Sequence, residues 1–251
     1  MTTLAGSPGE AGQLDGVAGD ARLAFPEDLW GDDRYLYLTD LQLLRRITLE
    51  TGAVETVAGG PNPSALSTDG IGLSARFLSP KGIWGDGTSL YVVDASHVRR
   101  MSLETFSVTT LSQFNHPSGL WWGGDMWGDG INLYVVAAYE IQRLSLASDE
   151  VSTIAGGPTP GRDDGIGSQA RFYGPRNVWG IGSTLFVADD GRLRAVDIPT
   201  GAVDTIAGRK TIDAEYATEF ILLGGNAAPT RSDTLLNFYS QSGQPLPLII
   251  R

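Results

Sequence analysis

The sequence predicts an all-β fold built from similar units, because it carries a repeated motif, a constant internal spacing and short segments of strand character. A Thr-x-Ala-Gly motif, reduced to Thr-Leu-Ser in one case, begins at Thr3, Thr56, Thr110, Thr153 and Thr205. The steps between these threonines are 53, 54, 43 and 52 residues. A period of this size is typical of a ring or stack of repeated units.

The spacing inside the units is also constant. In three units an Asp-Gly pair precedes an Ala-Arg pair, a proline, a Trp-Gly pair and an apolar run that ends in aspartate. A tryptophan follows a proline by four residues in all four units, at Trp30, Trp84, Trp121 and Trp179. We interpret these tryptophans as packing residues between units, with a stacking platform for a ligand as the alternative.

Each unit contains four short strand-like segments separated by turn residues. In the second unit they are residues 82–84, 89–93, 98–103 and 107–111. Their alternation and β-branched content favour strands, and no helical period competes. Four antiparallel strands in about 40–50 residues form a propeller blade, so the sequence predicts a β-propeller.

The chain resembles the bacterial NHL-repeat family of β-propellers over residues 1–208. The resemblance is carried by the Asp-Gly-Ile-Gly loop that begins at Asp69, the Ala-Arg-Phe triplet at Ala75, the Leu-Tyr-Val-Val-Asp strand at Leu90 and the Thr-x-Ala-Gly motif. The Asn-His-Leu triplet that names the family is absent, and Ala95-Ser96-His97 takes its place. The resemblance implies a fold and no particular activity.

The last 43 residues, 209–251, break the pattern. They contain three strand-like runs, at 219–223, 234–239 and 246–250, and no fourth. Residues 2–5 match the fourth strand of a blade, so we predict one domain, 1–251, of five blades closed by the N-terminal strand. The alternatives are a partial or six-bladed ring completed by another chain, which predicts an oligomer, with residues 209–251 as the stub of a longer protein.

The composition argues against several classes of partner and site. A net charge of −11 opposes non-specific binding to nucleic acid and to an anionic membrane surface. No apolar run reaches the length of a membrane span and no signal peptide is visible, so the sequence leaves the compartment open. With no cysteine and only two histidines, His97 and His116, the chain is expected to hold neither a metal nor a cofactor.

The repeated charged residues have a structural and a functional interpretation. Asp40, Asp94 and Asp189 end the second strand of three units. We expect each to pair with an arginine across the next hairpin: Arg45 or Arg46, Arg99 or Arg100, and Arg194. The alternative is a ring of carboxylates that binds a central cation.

A second set of arginines, Arg22, Arg76 and Arg171, lies in the connection that enters each blade. We expect them to pair inside the protein, with Asp15, Asp69 and Asp164 as the acceptors. The alternative is capture of an anion at the mouth of the channel.

The third unit breaks the symmetry. Its entry connection has four residues from Thr110 to Phe114, and residues 122–127 are interpreted as an insertion in the next turn. This region holds a dense aromatic cluster beside a histidine: Trp121, Trp122, Trp127 and His116. We predict that Trp122 or Trp127 is exposed and forms a contact patch, with a loop that has no partner as the alternative.

These features predict a non-catalytic scaffold or binding module that recognises a protein or glycan partner. The alternative is a channel-centred, metal-dependent hydrolase or lyase, which needs carboxylates or amides from several blades to meet on the axis. No Ser-His-Asp spacing or phosphate-binding loop is evident, so no catalytic residue is assigned. RNA binding is a third hypothesis, and the acidic charge argues against it.

Overall fold

The computed structural model describes residues 3–60, 67–113 and 123–208, which form four antiparallel sheets, one per repeat. Blade one contains β1 (Gly16–Val17), β2 (Pro26–Gly31), β3 (Tyr35–Asp40), β4 (Leu43–Thr48) and β5 (Ala53–Ala58). Its strand order is β1-β5-β4-β3-β2, so the short strand β1 of the entry connection pairs with the outer strand β5.

The other blades repeat this arrangement. Blade two contains β6 (Gly70–Ile71), β7 (Pro80–Gly85), β8 (Ser89–Asp94), β9 (His97–Ser102) and β10 (Ser107–Gln113). Blade three contains β11 (Gly123–Gly128), β12 (Asn132–Ala137), β13 (Glu140–Ser145) and β14 (Val151–Gly156). Blade four contains β15 (Gly165–Ile166), β16 (Pro175–Ile181), β17 (Thr184–Asp189), β18 (Arg192–Asp197) and β19 (Ala202–Gly208). The predicted all-β propeller architecture of four-stranded blades is confirmed, with a short fifth strand in three blades.

The inner strands β2, β7, β11 and β16 pack against one another in this order, which places the four blades around an axis. Proline opens the inner strand in blades one, two and four. An inner strand is the edge of its sheet, so the missing proline N–H removes no ladder hydrogen bond. A bulge near the start of each inner strand then turns the following residues towards the next blade.

The core lies between the blades. Tyr37 of blade one, for example, is buried against Ile83 and Leu90 of blade two. Each interface also contains a tryptophan that lies over a glycine of the next blade. A Cβ atom on Gly85 would lie 2.8 Å from the ring of Trp30, so the close approach requires glycine there. The packing interpretation of the repeated tryptophans is therefore correct at this position.

The structure of blade three corrects the alignment of its sequence with the other repeats. Trp127 pairs with Tyr134, as Trp84 pairs with Tyr91, and it lies over Gly180. Trp127, and not Trp121, is therefore the repeated tryptophan of this blade. The predicted insertion at residues 122–127 is wrong, because residues 123–128 are the inner strand itself. The proline-to-tryptophan spacing that ends at Trp121 matches the other units without marking the same position.

The N-terminal residues from Thr3 lie against blade one. The Gly6 N–H donates to the Ala18 oxygen at 2.9 Å, and Ala5 packs on the buried Ala21 and Leu38. Residue 2 and residues 209–251 lie outside the described residues, so the predicted pairing between the two ends of the chain stays a prediction. Within the described part of the chain, no helix is long and apolar enough to cross a membrane.

Candidate functional site

The charged residues that recur in the blades are mostly bonded inside the protein. The guanidinium of Arg45 is fully buried, with Nη1 3.0 Å from Asp40 and Nη2 2.9 Å from Asp15. Arg99 and Arg194 repeat both bonds in blades two and four. The expected hairpin pair is therefore present, and Arg45, Arg99 and Arg194 are its cations.

These aspartates also accept hydrogen bonds from the entry connection and hold its backbone in place. Asp40 accepts hydrogen bonds from the backbone N–H groups of Ala24 and Phe25, at 2.9 and 2.6 Å. Asp94 and Asp189 bind the equivalent N–H groups in their blades. A carboxylate with an arginine and two amides as partners is saturated, so this set is part of the scaffold.

The predicted acidic partners of the second set of arginines, Arg22, Arg76 and Arg171, are wrong. Arg76 Nη1 donates to the backbone oxygens of Leu73 and Ala75, at 2.6 and 2.7 Å. Arg22 and Arg171 do the same in their own entry connections, and Arg22 also pairs with Glu10. Asp15, Asp69 and Asp164 pair instead with the buried hairpin arginines. The correction follows from topology, because the Ala-Arg arginines curl over their own 3-10 turn while the hairpin arginine points at the loop.

Sequence reasoning missed three polar side chains on the inner strands, two residues before the tryptophan: Asp28, Asp125 and Asn177. Asp28 Oδ2 accepts the N–H of Ile83 of blade two at 2.9 Å, and Asp125 Oδ2 accepts the N–H of Val178 of blade four at 2.8 Å. Each carboxylate therefore links its blade to the next. Blade two carries Gly82 at this position.

Burial perturbs these two carboxyl groups. Loss of solvent raises the pKa of Asp28, and it raises the pKa of Asp125 to about 7, helped by repulsion from Asp28. Hydrogen bonds from Val178, Met126 and Asn177 oppose the increase at Asp125. Asp125 can therefore exchange a proton near neutral pH. Among the residues that the structure describes, no group of three or more acidic or histidine side chains could hold a metal ion.

One end of the sheets, which we call the entry face, carries side chains that differ between blades. It carries the connections that enter the blades and the turns between their second and third strands. The Leu41 N–H, in such a turn, donates to the Phe25 oxygen at 3.4 Å, and the Ala95 N–H donates to the Ser79 oxygen at 3.2 Å. Each turn therefore lies beside the last residues of its own entry connection.

The entry face exposes different side chains on an equivalent backbone. The residue after the second apolar position of the entry connection is Ala24 in blade one, Leu78 in blade two and Tyr173 in blade four. Leu78 is 41% exposed and Tyr173 is 47% exposed, and Phe25 of blade one is 60% exposed.

Charged pairs lie among these apolar groups. The guanidinium of Arg162 lies 3.8 Å from the centre of the Tyr173 ring and pairs with Asp190. Nearer the axis, Lys81 Nζ lies 2.5 Å from Glu27 Oε1. The entry face thus combines apolar contact area with groups that donate and accept hydrogen bonds.

Of the four residues of the predicted aromatic patch, the structure describes only Trp127. Trp127 is partly buried and stacks on Tyr134 with ring centres 5.9 Å apart, so it is a packing residue between blades three and four. Trp121, Trp122 and His116 lie outside the described residues. Their part in a contact patch stays a prediction.

A shallow groove of about 640 Å³ lies on blade two at the opposite end of the sheets. Its lining includes Thr88, Arg100 and Glu104. The Nε of Arg100 donates to Ser89 at 3.0 Å, so the cation already has a partner inside the protein.

The similarity of this chain to known proteins is found in solved structures and not in sequence. No protein-family model and no curated protein matches the sequence. The fold is similar to auxiliary nutrient binding proteins from Bacteroides ovatus and Bacteroides thetaiotaomicron, with 15% and 19% identity and TM-scores of 0.49. Each alignment covers 83% of this chain and 64% of the other, so the chain spans less than two thirds of those proteins.

A further similar structure is the extracellular domain of a Bacteroides thetaiotaomicron protein described as a hybrid two component system. It is 11% identical, with a TM-score of 0.50, and the alignment covers 74% of this chain and 24% of that one. At this identity the likeness concerns the fold.

Proposed function

We propose that the chain is an NHL-type propeller that acts as a non-catalytic binding module for a protein or glycan partner, and that it binds through the entry face. The observation that carries the proposal is the contrast between saturated repeated charges and exposed blade-specific side chains. Phe25, Leu78 and Tyr173 lie on a backbone that the buried Asp-Arg pairs hold in place. Variable residues on a rigid repeated frame are the usual way in which repeat proteins achieve specificity.

The chemistry of the entry face suits a partner with apolar or ring-shaped groups. Tyr173 offers an aromatic surface, and its neighbours Arg162 and Asp190 offer hydrogen bonds at its edge. Exposed aromatic and arginine side chains dominate the energy of many interfaces. The net charge of −11 favours encounter with neutral or basic partners over acidic ones.

The test uses the full chain on a glycan array and against a phage-displayed peptide library. A Phe25→Ser, Tyr173→Ser variant should lose most of the binding that the wild type shows on either probe. Ile131→Ser is the matched control, because Ile131 is 69% exposed in the β11–β12 turn at the opposite end of the sheets. Equal binding by the wild type and the double variant would refute the entry face as the site.

A metal-dependent hydrolase or lyase centred on the channel remains the second candidate, and the inner-strand polar groups favour it. Asp28, Asp125 and Asn177 come from three blades, which is the convergence that this function needs. Each carboxylate already accepts a backbone N–H, which supports a structural role instead. Calorimetric titration of Mn²⁺ into the wild type and into an Asp28→Asn, Asp125→Asn variant separates a metal site from a structural role. A metal site predicts that the wild type binds Mn²⁺ and the variant does not, whereas a structural role predicts that neither protein binds it.

A further inference from the structure

Blade one surrounds an arginine with aromatic rings near the end of the sheets opposite the entry face. The Nε of Arg46 donates to Glu55 Oε1 at 2.6 Å. The guanidinium carbon of Arg46 lies 4.4 Å from the ring centre of Tyr35. It also lies 5.4 Å from the ring centre of Phe106, which belongs to the β9–β10 turn of blade two. Two rings and a carboxylate, from two blades, therefore cover this cation.

Phe106 has a backbone conformation that an aromatic residue rarely adopts. Its φ is 55°, in the left-handed region, where blades one and four have Gly52 and Gly201. The N–H of each of these three residues donates to the oxygen four residues earlier, so the positions are equivalent. A side chain in this region strains the backbone. The fold accepts that strain and thereby places a ring over Arg46.

Blade two has the same arginine without these neighbours. Arg100 pairs with Tyr91 across the hairpin, as Arg46 pairs with Tyr37 in blade one. The three residues that surround Arg46 are replaced at the equivalent positions around Arg100 by Ser89, Thr109 and Asp149. Both rings and the paired carboxylate of blade one are therefore missing.

The groove of about 640 Å³ on blade two surrounds this arginine. Its lining includes five residues with hydroxyl groups, which are Thr88, Ser89, Ser102, Ser107 and Thr109. Arg100 is exposed, and the hydrogen bond to Ser89 is the only one that its side chain makes to the described part of the chain. A guanidinium has five N–H donors and a flat face, so most of its binding capacity is open to a ligand.

Carboxylates lie at the edge of the groove. Glu104 is exposed and belongs to its lining, and the exposed Asp149 occupies the position from which Phe106 covers Arg46 in blade one. Asp86, in the β7–β8 turn, accepts a hydrogen bond from the Tyr91 hydroxyl at 3.0 Å. These charges oppose an anionic ligand and favour a ligand with cations beside its central group.

We propose that this groove is a second binding site, at the opposite end of the sheets from the entry face, for an aromatic side chain of a partner peptide flanked by lysine or arginine. The ring stacks on the guanidinium of Arg100, as the rings of Tyr35 and Phe106 stack on Arg46. The flanking cations pair with Glu104 and Asp149. The groove has the volume of an ordinary ligand site.

The first experiment titrates a capped peptide, Gly-Lys-Tyr-Lys-Gly, into the isotope-labelled full chain and follows the backbone amides by NMR. The amide signals of Ser89, Ser102 and Thr109 should shift. A peptide with leucine in place of tyrosine should bind about tenfold more weakly, because it lacks the ring. Equal affinity for the two peptides would overturn the proposal, since charge alone would then explain the binding. Absence of any shift at about 10 mM peptide would also overturn it.

The second experiment locates the binding with variants of the protein. Arg100→Ala should weaken binding of the tyrosine peptide about tenfold. Arg143→Ala is the matched control, because Arg143 is the equivalent exposed arginine of blade three and does not line the groove. It should bind as the wild type does. An equal loss in the two variants, or no loss in Arg100→Ala, would refute the groove as the site.

A third variant fills the groove with the residues of blade one. Ser89→Tyr combined with Thr109→Glu gives Arg100 the ring and the carboxylate that Arg46 has in Tyr35 and Glu55. We expect this variant to lose binding of the tyrosine peptide although Arg100 is present. Unchanged amide signals in blades one and four show that it is folded. Binding at wild-type affinity would contradict the proposed stacking on Arg100.

Discussion

Blade three differs from blades one, two and four in the side chains that fill the buried positions of its hairpin. Blades one, two and four each bury an arginine between two aspartates, as Arg194 lies between Asp189 and Asp164 at 2.9 and 3.0 Å. Blade three has Ala137 and Gln142 at the equivalent positions of the hairpin. Both partners of the buried ion pair are therefore replaced together.

A glutamate of blade three takes over part of the lost role. Glu140 accepts hydrogen bonds from Gln142 Nε2 at 2.7 Å and from Thr153 Oγ1 at 2.9 Å. In blade four the matching threonine, Thr205, donates instead to Asp164 at 2.7 Å. The comparison indicates that the aspartate at the end of the second strand and the hairpin arginine act as one unit, because a buried charge without its partner costs more than a buried neutral amide.

The largest effect is expected from breaking the pair in blade four. Arg194→Gln leaves Asp189 fully buried without its cation, and we expect a loss of about 3–5 kcal/mol in the free energy of unfolding. The double variant Asp189→Ala, Arg194→Gln imitates blade three. Chemical denaturation should show that the two changes couple favourably by about 1–3 kcal/mol, and strict additivity would show that they are not a unit.

The second prediction tests the alignment of blade three with the other repeats. Trp127→Ala and Trp84→Ala remove equivalent rings that lie over Gly180 and Gly128, and each should cost about 2–4 kcal/mol. The measurement is the midpoint of urea unfolding with the slope held in common. A Trp127→Ala variant as stable as the wild type would contradict the assignment of Trp127 as the packing residue.

A smaller effect is expected at the glutamate that blade three uses. Glu140→Ala leaves the buried Gln142 amide and the Thr153 hydroxyl without their acceptor, at a cost of about 1–2 kcal/mol. Glu150→Ala is the matched control, because Glu150 is exposed in the turn before β14 and should change stability little. Equal thermal midpoints for the two variants would refute the replacement role of Glu140.

The last prediction is an effect that vanishes at low pH, and it concerns the inner strand of blade three. The folded pKa of Asp125 is raised from its ordinary 3.8 to about 7, so the folded state holds a proton that the unfolded state has released between these values. The cost of ionising Asp125 is therefore absent below about pH 4 and complete above about pH 7. Asp125→Asn, which imitates Asn177 of blade four, should stabilise the protein increasingly from pH 4 to pH 7 relative to the wild type. A stability difference independent of pH would show that Asp125 ionises normally.

The repeat alone predicted the blades, their strands and the hairpin ion pairs, because these depend on residues close together in one unit. Asp40 and Arg45, for example, are five residues apart and separated only by a turn. The same reasoning failed in blade three, where the spacing from a proline to Trp121 matched the other units by coincidence. Only the pairing of Trp127 with Tyr134 reveals the register of that blade. With the register corrected, Asp28, Asp125 and Asn177 align, and the polar position on the inner strand becomes visible in the sequence.

The amino-acid sequence is sufficient to predict the all-β repeat, the four described blades and the residues that their turns and hairpins need, since the pattern of apolar and turn residues within one unit sets local structure directly. Which charged residues pair with each other depends on the packing of the blades. Asp15 pairs with Arg45 and not with the predicted Arg22, and Asp125 lies near Asp28 although they belong to different blades. The physical reason is that a buried side chain takes its partners from whatever the blades bring into contact, and desolvation and the strength of each ion pair depend on that packing.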